Sequence, residues 1–368
     1  MPTTKLKVKT NSKNYLIIVG NNIIKNTGKI FKKKFKNLNK IVIITDKNIP
    51  PKTLIELKKS LKKFKLVTIK LSSGEKIKNI NIALKLINKI LKENLTRSDC
   101  IVSLGGGVIG DLAGFISSIV KRGIRFVNIP TTLLAQVDAS IGGKTAVNSI
   151  YGKNLIGSFY QPDLVISDTS VLQTLPEREI ICGYAEILKH AIILDKKFFY
   201  WLFVNGKKIL NSFNGKILNE AIIKSCKIKA SIVASDEKEK KLRAILNFGH
   251  TFGHAFERVN NYSKKLSHGE GVLLGMMLAS KISFEKKFLK IEDLKLIEKH
   301  YENLNLTKNV KKYINKKQVN LVIRFMKSDK KNIDKNINLI LISKIGKAFI
   351  SNKIPVDYIK KFIYKNLK

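Results

Sequence analysis

Short β-branched runs alternate with amphipathic stretches between Lys40 and Leu104, and this alternation restricts the fold more than any other feature of the chain. Lys40-Ile41-Val42-Ile43-Ile44-Thr45-Asp46 and Cys100-Ile101-Val102-Ser103-Leu104 are almost unbroken apolar runs, as expected of parallel strands buried on both faces. Between them, Leu54 to Leu61 reads as a helix, Lys65 to Leu71 as a strand and Ile80 to Leu91 as a long amphipathic helix. Strand and helix in succession predict an α/β layer.

After Leu104 comes Gly105-Gly106-Gly107-Val108-Ile109-Gly110-Asp111, in which Gly105, Gly107 and Gly110 satisfy G-x-G-x-x-G. Such turns are common; following a strand and opening a helix, this one offers backbone N–H groups to a pyrophosphate. The turn falls late in the layer, so Asp46, at the end of an upstream strand, is the candidate for the ribose hydroxyls. Leu164 to Ser167 supplies a last strand, and Pro176 opens a helix. Helical periodicity then dominates almost to the C-terminus, apart from an alternating strand at Asn338 to Ile342. The expected organisation is an α/β N-terminal domain with a Rossmann-like nucleotide-binding sheet over 1–179 and a mainly α-helical domain over 180–368. The active site is expected in the cleft between them.

A second constraint is Asn247-Phe248-Gly249-His250-Thr251-Phe252-Gly253-His254-Ala255-Phe256-Glu257, which holds two of the five histidines. At i,i+4 both imidazoles project from one helical face, and Glu257 follows one turn beyond His254. Phe248, Phe252 and Phe256 would seat the other side in a core. A third histidine, His268, precedes another apolar segment. Paired histidines with a third nearby point to a metal or proton-transfer site, and a catalytic zinc needs three protein ligands. Spacing does not say which of the three bind. Glu186, in the apolar helix Gly183 to His190, is the candidate third ligand, with His190 competing; the plainer reading is a surface pair between Glu186 and Lys189.

Ile141-Gly142-Gly143-Lys144-Thr145 looks like the tail of a P-loop, but that motif needs glycine at the position of Asp138. Lys144 and Gly152-Lys153-Asn154 remain as cationic turns suited to an anionic ligand.

The chain has 70 Lys and Arg against 27 Asp and Glu, a net charge of +43. The excess is mostly Lys, spread among Ile and Asn without any RNA-binding motif, so it reads as solvated surface and nucleic acid is not the expected partner. No apolar run reaches the length a bilayer needs. Cys100, Cys182 and Cys226 are too few and too scattered for a disulfide framework, and a reducing cytoplasm is expected. The acid-free N-terminus reads as a hairpin of Lys5 to Lys9 with Tyr15 to Val19 and not as a transit peptide.

Taken together, the glycine turn, Pro130-Thr131-Thr132-Leu133-Leu134-Ala135-Gln136-Val137-Asp138, Gly142-Gly143-Lys144-Thr145-Ala146, Gly152-Lys153-Asn154, the Ala185-Glu186 helix, Asn247 to Glu257 and His268-Gly269-Glu270 resemble the 3-dehydroquinate synthases of the sugar phosphate cyclase family. The resemblance runs from about residue 40 to 331. It implies a lyase of the shikimate pathway that converts 3-deoxy-D-arabino-heptulosonate 7-phosphate to 3-dehydroquinate through transient NAD oxidation, phosphate elimination, reduction and aldol closure. The alternative is a metal- and NAD-dependent polyol or glycerol dehydrogenase.

The same resemblance implies Glu186, His250 and His268 as ligands of zinc or cobalt, with His254 facing the substrate. Catalytic roles would fall on His254, Lys144, Lys189, Lys229, Arg243, Asn247 and Glu239, and substrate contacts on Arg122, Asp138, Lys153, Asn154 and Lys330. Cofactor contacts would fall on Asp46, Asn48, Ser73, Gly74, Glu75, Lys76, Ile77, Lys78, Gly107, Val108, Ile109, Gly110, Asp111, Thr131, Thr132, Val171, Leu172, Gln173 and Thr174, shared with Lys144 and Lys153. Ser73 departs from the family's usual Asp. The expected partners are a small sugar phosphate and a second copy in a homodimer, with no membrane.

Overall fold

In the computed structural model, residues 3–211, 215–307, 309–327 and 337–367 are described. They fall into two units, Met1–Ile180 with Phe213–Lys238, and Ile181–Ser212 with Glu239–Lys368.

In the first unit, strands β1 (Thr4–Val8), β2 (Tyr15–Gly20), β3 (Lys40–Asp46), β4 (Lys65–Leu71), β5 (Cys100–Gly105) and β6 (Arg125–Pro130) precede a separate hairpin, β7 (Lys144–Ser149) with β8 (Gly152–Phe159); β9 (Leu164–Asp168) then rejoins the sheet. The sheet order is β1-β2-β9-β6-β5-β3-β4. Strand β1 runs antiparallel to β2, and the remaining pairs are parallel.

Period-two alternation sends the unbroken apolar runs to both faces, and both are covered. Ile41, Ile43, Val102 and Leu104 pack with Phe31 of α1 (Thr27–Lys34) and Leu54 and Leu57 of α2 (Pro51–Ser60). Val42, Ile44 and Ile101 pack with Leu86 and Ile90 of α3 (Ile80–Leu91) and Leu112 and Ile116 of α4 (Gly107–Ile119).

From β3 the chain steps outward to β4 and then returns to β5 on the other side of β3, so strand order reverses between β3 and β5. The carboxyl ends at that reversal are Asp46 and Gly105. This is where open parallel sheets bind ligands, and it accounts for a glycine turn late in the layer.

Helix α5 (Glu177–Leu194) leads into α6 (Lys196–Asn211), and α7 (Gly215–Ser235) belongs again to the first unit. The second unit continues with α8 (His250–Val259), α9 (His268–Glu285), α10 (Ile291–Asn303), α11 (Val319–Lys327), the hairpin β10 (Leu339–Lys344) and β11 (Lys347–Ser351), and α12 (Val356–Lys365). Phe325 to Lys327 end α11, whose Val322, Ile323 and Met326 bury one helical face. No described helix is long and apolar enough to cross a membrane.

Candidate functional site

Glycines bring three helices of the second unit into backbone contact. A Cβ on Gly253 would sit 2.8 Å from Gly271 O, one on Gly275 1.9 Å from Gly249 O, and one on Gly269 2.3 Å from Cys182 Cα. Helices α8 and α9 therefore cross without side chains between them, and the first turn of α9 lies on α5. Gly249 caps α8 at φ +82°, a conformation that glycine adopts without strain. Ser267 caps α9 in a reciprocal pair with Glu270. Phe248, Phe252 and Phe256 are buried.

These crossings gather Glu186, His250 and His268, whose ligand atoms lie within 4.8 Å of one another. Glu186 Oε1 is 3.5 Å from His250 Nε2 and 3.6 Å from His268 Nε2. The opposite ring nitrogens are also held: His250 Nδ1 lies 3.3 Å from Phe248 O, and His268 Nδ1 3.0 Å from Glu257 Oε1. Two histidines and a carboxylate, with carbonyl and carboxylate partners behind them, are a donor set that fits zinc or cobalt. Burial lowers the His268 pKa, but Glu257 and Glu186 outweigh it and hold the imidazole well above its ordinary value.

His254, Glu257 and His268 form a second, overlapping group within 4.8 Å, with His254 exposed. His190 is buried on α5 and belongs to neither group built on His268. Lys189 does pair with Glu186, but both are buried, so the contact is not a surface salt bridge. Arg243 is 1% exposed, and Asn247 Nδ2 donates to Glu239 Oε1 at 2.9 Å.

In the first unit, Asp46 Oδ1 accepts the Asn48 N–H at 2.8 Å and the Ser73 hydroxyl at 3.0 Å. The Ser73 departure thus leaves a donor beside Asp46 where an acid would set two carboxylates together. Lys78 is buried and binds Asp111 Oδ2 and Asn154 Oδ1, each at 2.5 Å. Burial pushes the Asp111 carboxyl up from its ordinary range against the pull of Lys78.

The glycine turn opens α4, and the Thr131 N–H donates to Gly105 O at 3.0 Å. A Cβ on Gly106 would meet Thr132 Cγ2 at 3.1 Å, so Thr132 packs closely on the turn. Val171 to Thr174 lie in a 3₁₀ turn that Asp168 caps. Lys144 begins β7 and is exposed, and Lys153 and Asn154 begin β8. Arg122 sits at φ +61° beyond α4. Lys229 of α7 donates to Asp138 Oδ1 at 2.6 Å, in a π-helical turn at Ala135–Ala139. Lys330 lies outside the described residues. Sequence reasoning gave no role to Glu257 or Asn148. Glu257's signal was its place one turn after His254; Asn148 had none.

Family profiles described as 3-dehydroquinate synthase N-terminal and C-terminal match residues 68–182 and 183–332. A 3-dehydroquinate synthase of Pelagibacter ubique (strain HTCC1062) is 48% identical over 367 residues, covering 100% of each chain. The chain belongs to the 3-dehydroquinate synthase family. Enzymes of this family eliminate phosphate, and the polyol dehydrogenase alternative is not favoured.

Among solved structures, 2-deoxy-scyllo-inosose synthase complexed with carbaglucose-6-phosphate, NAD+ and Co2+ superposes with a TM-score of 0.87 at 23% identity, covering 98% of this chain and 100% of that one. The 2-epi-5-epi-valiolone synthase of Streptomyces hygroscopicus subsp. jinggangensis 5008, with NAD+ and Zn2+ bound, superposes at 0.85 and 23% identity, covering 100% and 99%. Both share the fold of the 3-dehydroquinate synthase family seen here.

Proposed function

We propose that this chain converts 3-deoxy-D-arabino-heptulosonate 7-phosphate to 3-dehydroquinate and phosphate, with NAD at the β3/β5 reversal and zinc or cobalt on Glu186, His250 and His268. The observation that carries the reading is that metal donor set, in a chain whose full-length relatives bear this enzyme's name. Held there, the metal would supply Lewis acidity toward a substrate hydroxyl, and the nicotinamide would supply reversible hydride chemistry.

The chain's own residues bind and orient. Asp46 and Asn48 would take the ribose hydroxyls, and the turn from Gly107 to Asp111, with Thr131 and Thr132, the pyrophosphate. Arg122, Lys144, Lys153 and Lys229 supply cations for a substrate carrying a phosphate and a carboxylate. Asp138 fixes Lys229, and Glu239 fixes the Asn247 amide. His254, exposed one turn after His250, would hold a substrate proton. Most of the protein's share is thus positioning and electrostatics.

Three scattered, buried cysteines support a reducing cytoplasm. Ile150 and Tyr151, 93% and 82% exposed at the hairpin tip, support a homodimer, which sedimentation would test. The test of function is phosphate release from the heptulosonate phosphate with catalytic NAD, repeated after chelation. Turnover without net NADH is expected, and stoichiometric NADH without phosphate would instead identify a dehydrogenase.

A further inference from the structure

A ring of hydrogen bonds joins the loop after β4 to the β7–β8 hairpin, and Asn148 closes it. Its Nδ2 donates to Glu75 Oε1 at 2.7 Å, and its Oδ1 accepts the Asn154 N–H at 2.9 Å. Its backbone N–H donates to Lys78 O at 2.8 Å, and the Lys78 ammonium returns to Asn154 Oδ1. One carboxamide thus has its donor end on the cofactor loop and its acceptor end on the substrate turn. Flipping it would set NH2 against N–H and oxygen against carboxylate, so its orientation is determined. Asn154 sits at φ +56°, a left-handed conformation that asparagine tolerates better than most non-glycine residues, and here its N–H is tied to Asn148 Oδ1. The bond to Glu75 is open to water. It contributes little while solvent competes and more once bound ligands exclude it, which suits a link between sites better than a prop for the fold.

We propose that Asn148 is a positioning residue that couples cofactor binding to sugar-phosphate binding, so that filling the Ser73 to Lys78 loop sets the Lys153-Asn154 turn, and the reverse. This rests on the functional reading above. Coupling of this kind is reciprocal and, in a wild-type protein, on the order of tenfold.

The test uses the metal-loaded enzyme with NADH, which cannot oxidise the sugar phosphate and so gives a stable ternary complex. NADH affinity is measured by fluorescence with and without the heptulosonate phosphate. The ratio is expected to be about tenfold in the wild type, to fall to near one in Asn148→Leu, and to fall likewise in Asn148→Asp, where the new carboxylate faces Glu75. Adding Glu75→Gln to Asn148→Asp exchanges donor and acceptor across the same bond and should restore the ratio, which recovery of folding alone would not do. Wild-type coupling in Asn148→Leu, or no recovery in the double variant, overturns the inference while leaving the functional reading intact. Failure of the wild type to bind either ligand overturns both.

Discussion

Glu257 Oε1 lies 3.0 Å from His268 Nδ1 and fixes the ring so that Nε2 points to within 3.6 Å of Glu186 Oε1. A carboxylate behind a metal-ligating imidazole sets its tautomer and raises its basicity, and losing such a partner typically costs about 10- to 100-fold in metal affinity. Glu257→Gln should therefore weaken zinc or cobalt binding by that order, read by competition with a chelator, with secondary structure unchanged. Unaltered metal affinity would mean that Glu257 only packs. His250→Ala removes a proposed ligand outright and should abolish both metal retention and turnover, whereas His254→Ala should keep the metal and lose rate.

Metal binding should also respond to acid. In the metal-free protein the His268 pKa stands well above 6.5, so a metal arriving near neutral pH must displace a proton. Apparent affinity should rise about tenfold per pH unit until the folded pKa is passed, and then level off. Without metal the sign of stability is opposite. The charged His268 stabilises the fold fully below its unfolded pKa of about 6.5, and that contribution is lost as pH rises through the raised folded value. Urea midpoints of chelated protein should fall with rising pH, and Glu257→Gln should flatten the trend.

Much of this was legible in the residues themselves. The runs at 40–46 and 100–104 read as strands because both faces are buried, and Phe248, Phe252 and Phe256 marked the core side of α8 because helical period and burial agree. The β7–β8 hairpin was not legible as strands. Asn148, Gly152 and Asn154 carry no β propensity, and it is the pairing of Lys144 with Phe159 through Val147 with Ile156, on either side of them, that makes the hairpin. Metal spacing was equally silent on partners. The gathering of His250 and His254 with His268 depends on Gly253 meeting Gly271 and Gly275 meeting Gly249, contacts between segments well separated in the chain. The return of α7 to the first unit is likewise a tertiary event that periodicity cannot record.

The glycine crossing gives a direct test. A methyl at Gly275 would lie 1.9 Å from Gly249 O, and backbone cannot yield as a flexible side chain can. Gly275→Ala should cost about 3 kcal/mol in urea unfolding and loosen metal binding by spreading α8 from α9. Gly74→Ala, at an open position with φ +98°, should cost about 1 kcal/mol from strain alone and leave the metal in place. Comparable metal loss in both variants would separate metal binding from the crossing.

His300 supplies an acid limb independent of the metal. It is fully buried, shares a hydrogen bond with Tyr184 Oη at 2.9 Å, stacks on the Tyr184 ring and meets Phe199 and Phe203 at a tilt. Burial depresses its pKa to about 4, while the unfolded chain takes up the proton near 6.5. Above that value the neutral ring costs nothing. As pH falls from about 6.5 towards 4 the unfolded state gains the proton first, so stability should drop by about 3 kcal/mol over that window. His300→Gln, which keeps a polar partner for Tyr184 and does not titrate, should lower stability at neutral pH but lose most of this slope. An unchanged slope between pH 6.5 and 4 would assign the acid sensitivity to other groups.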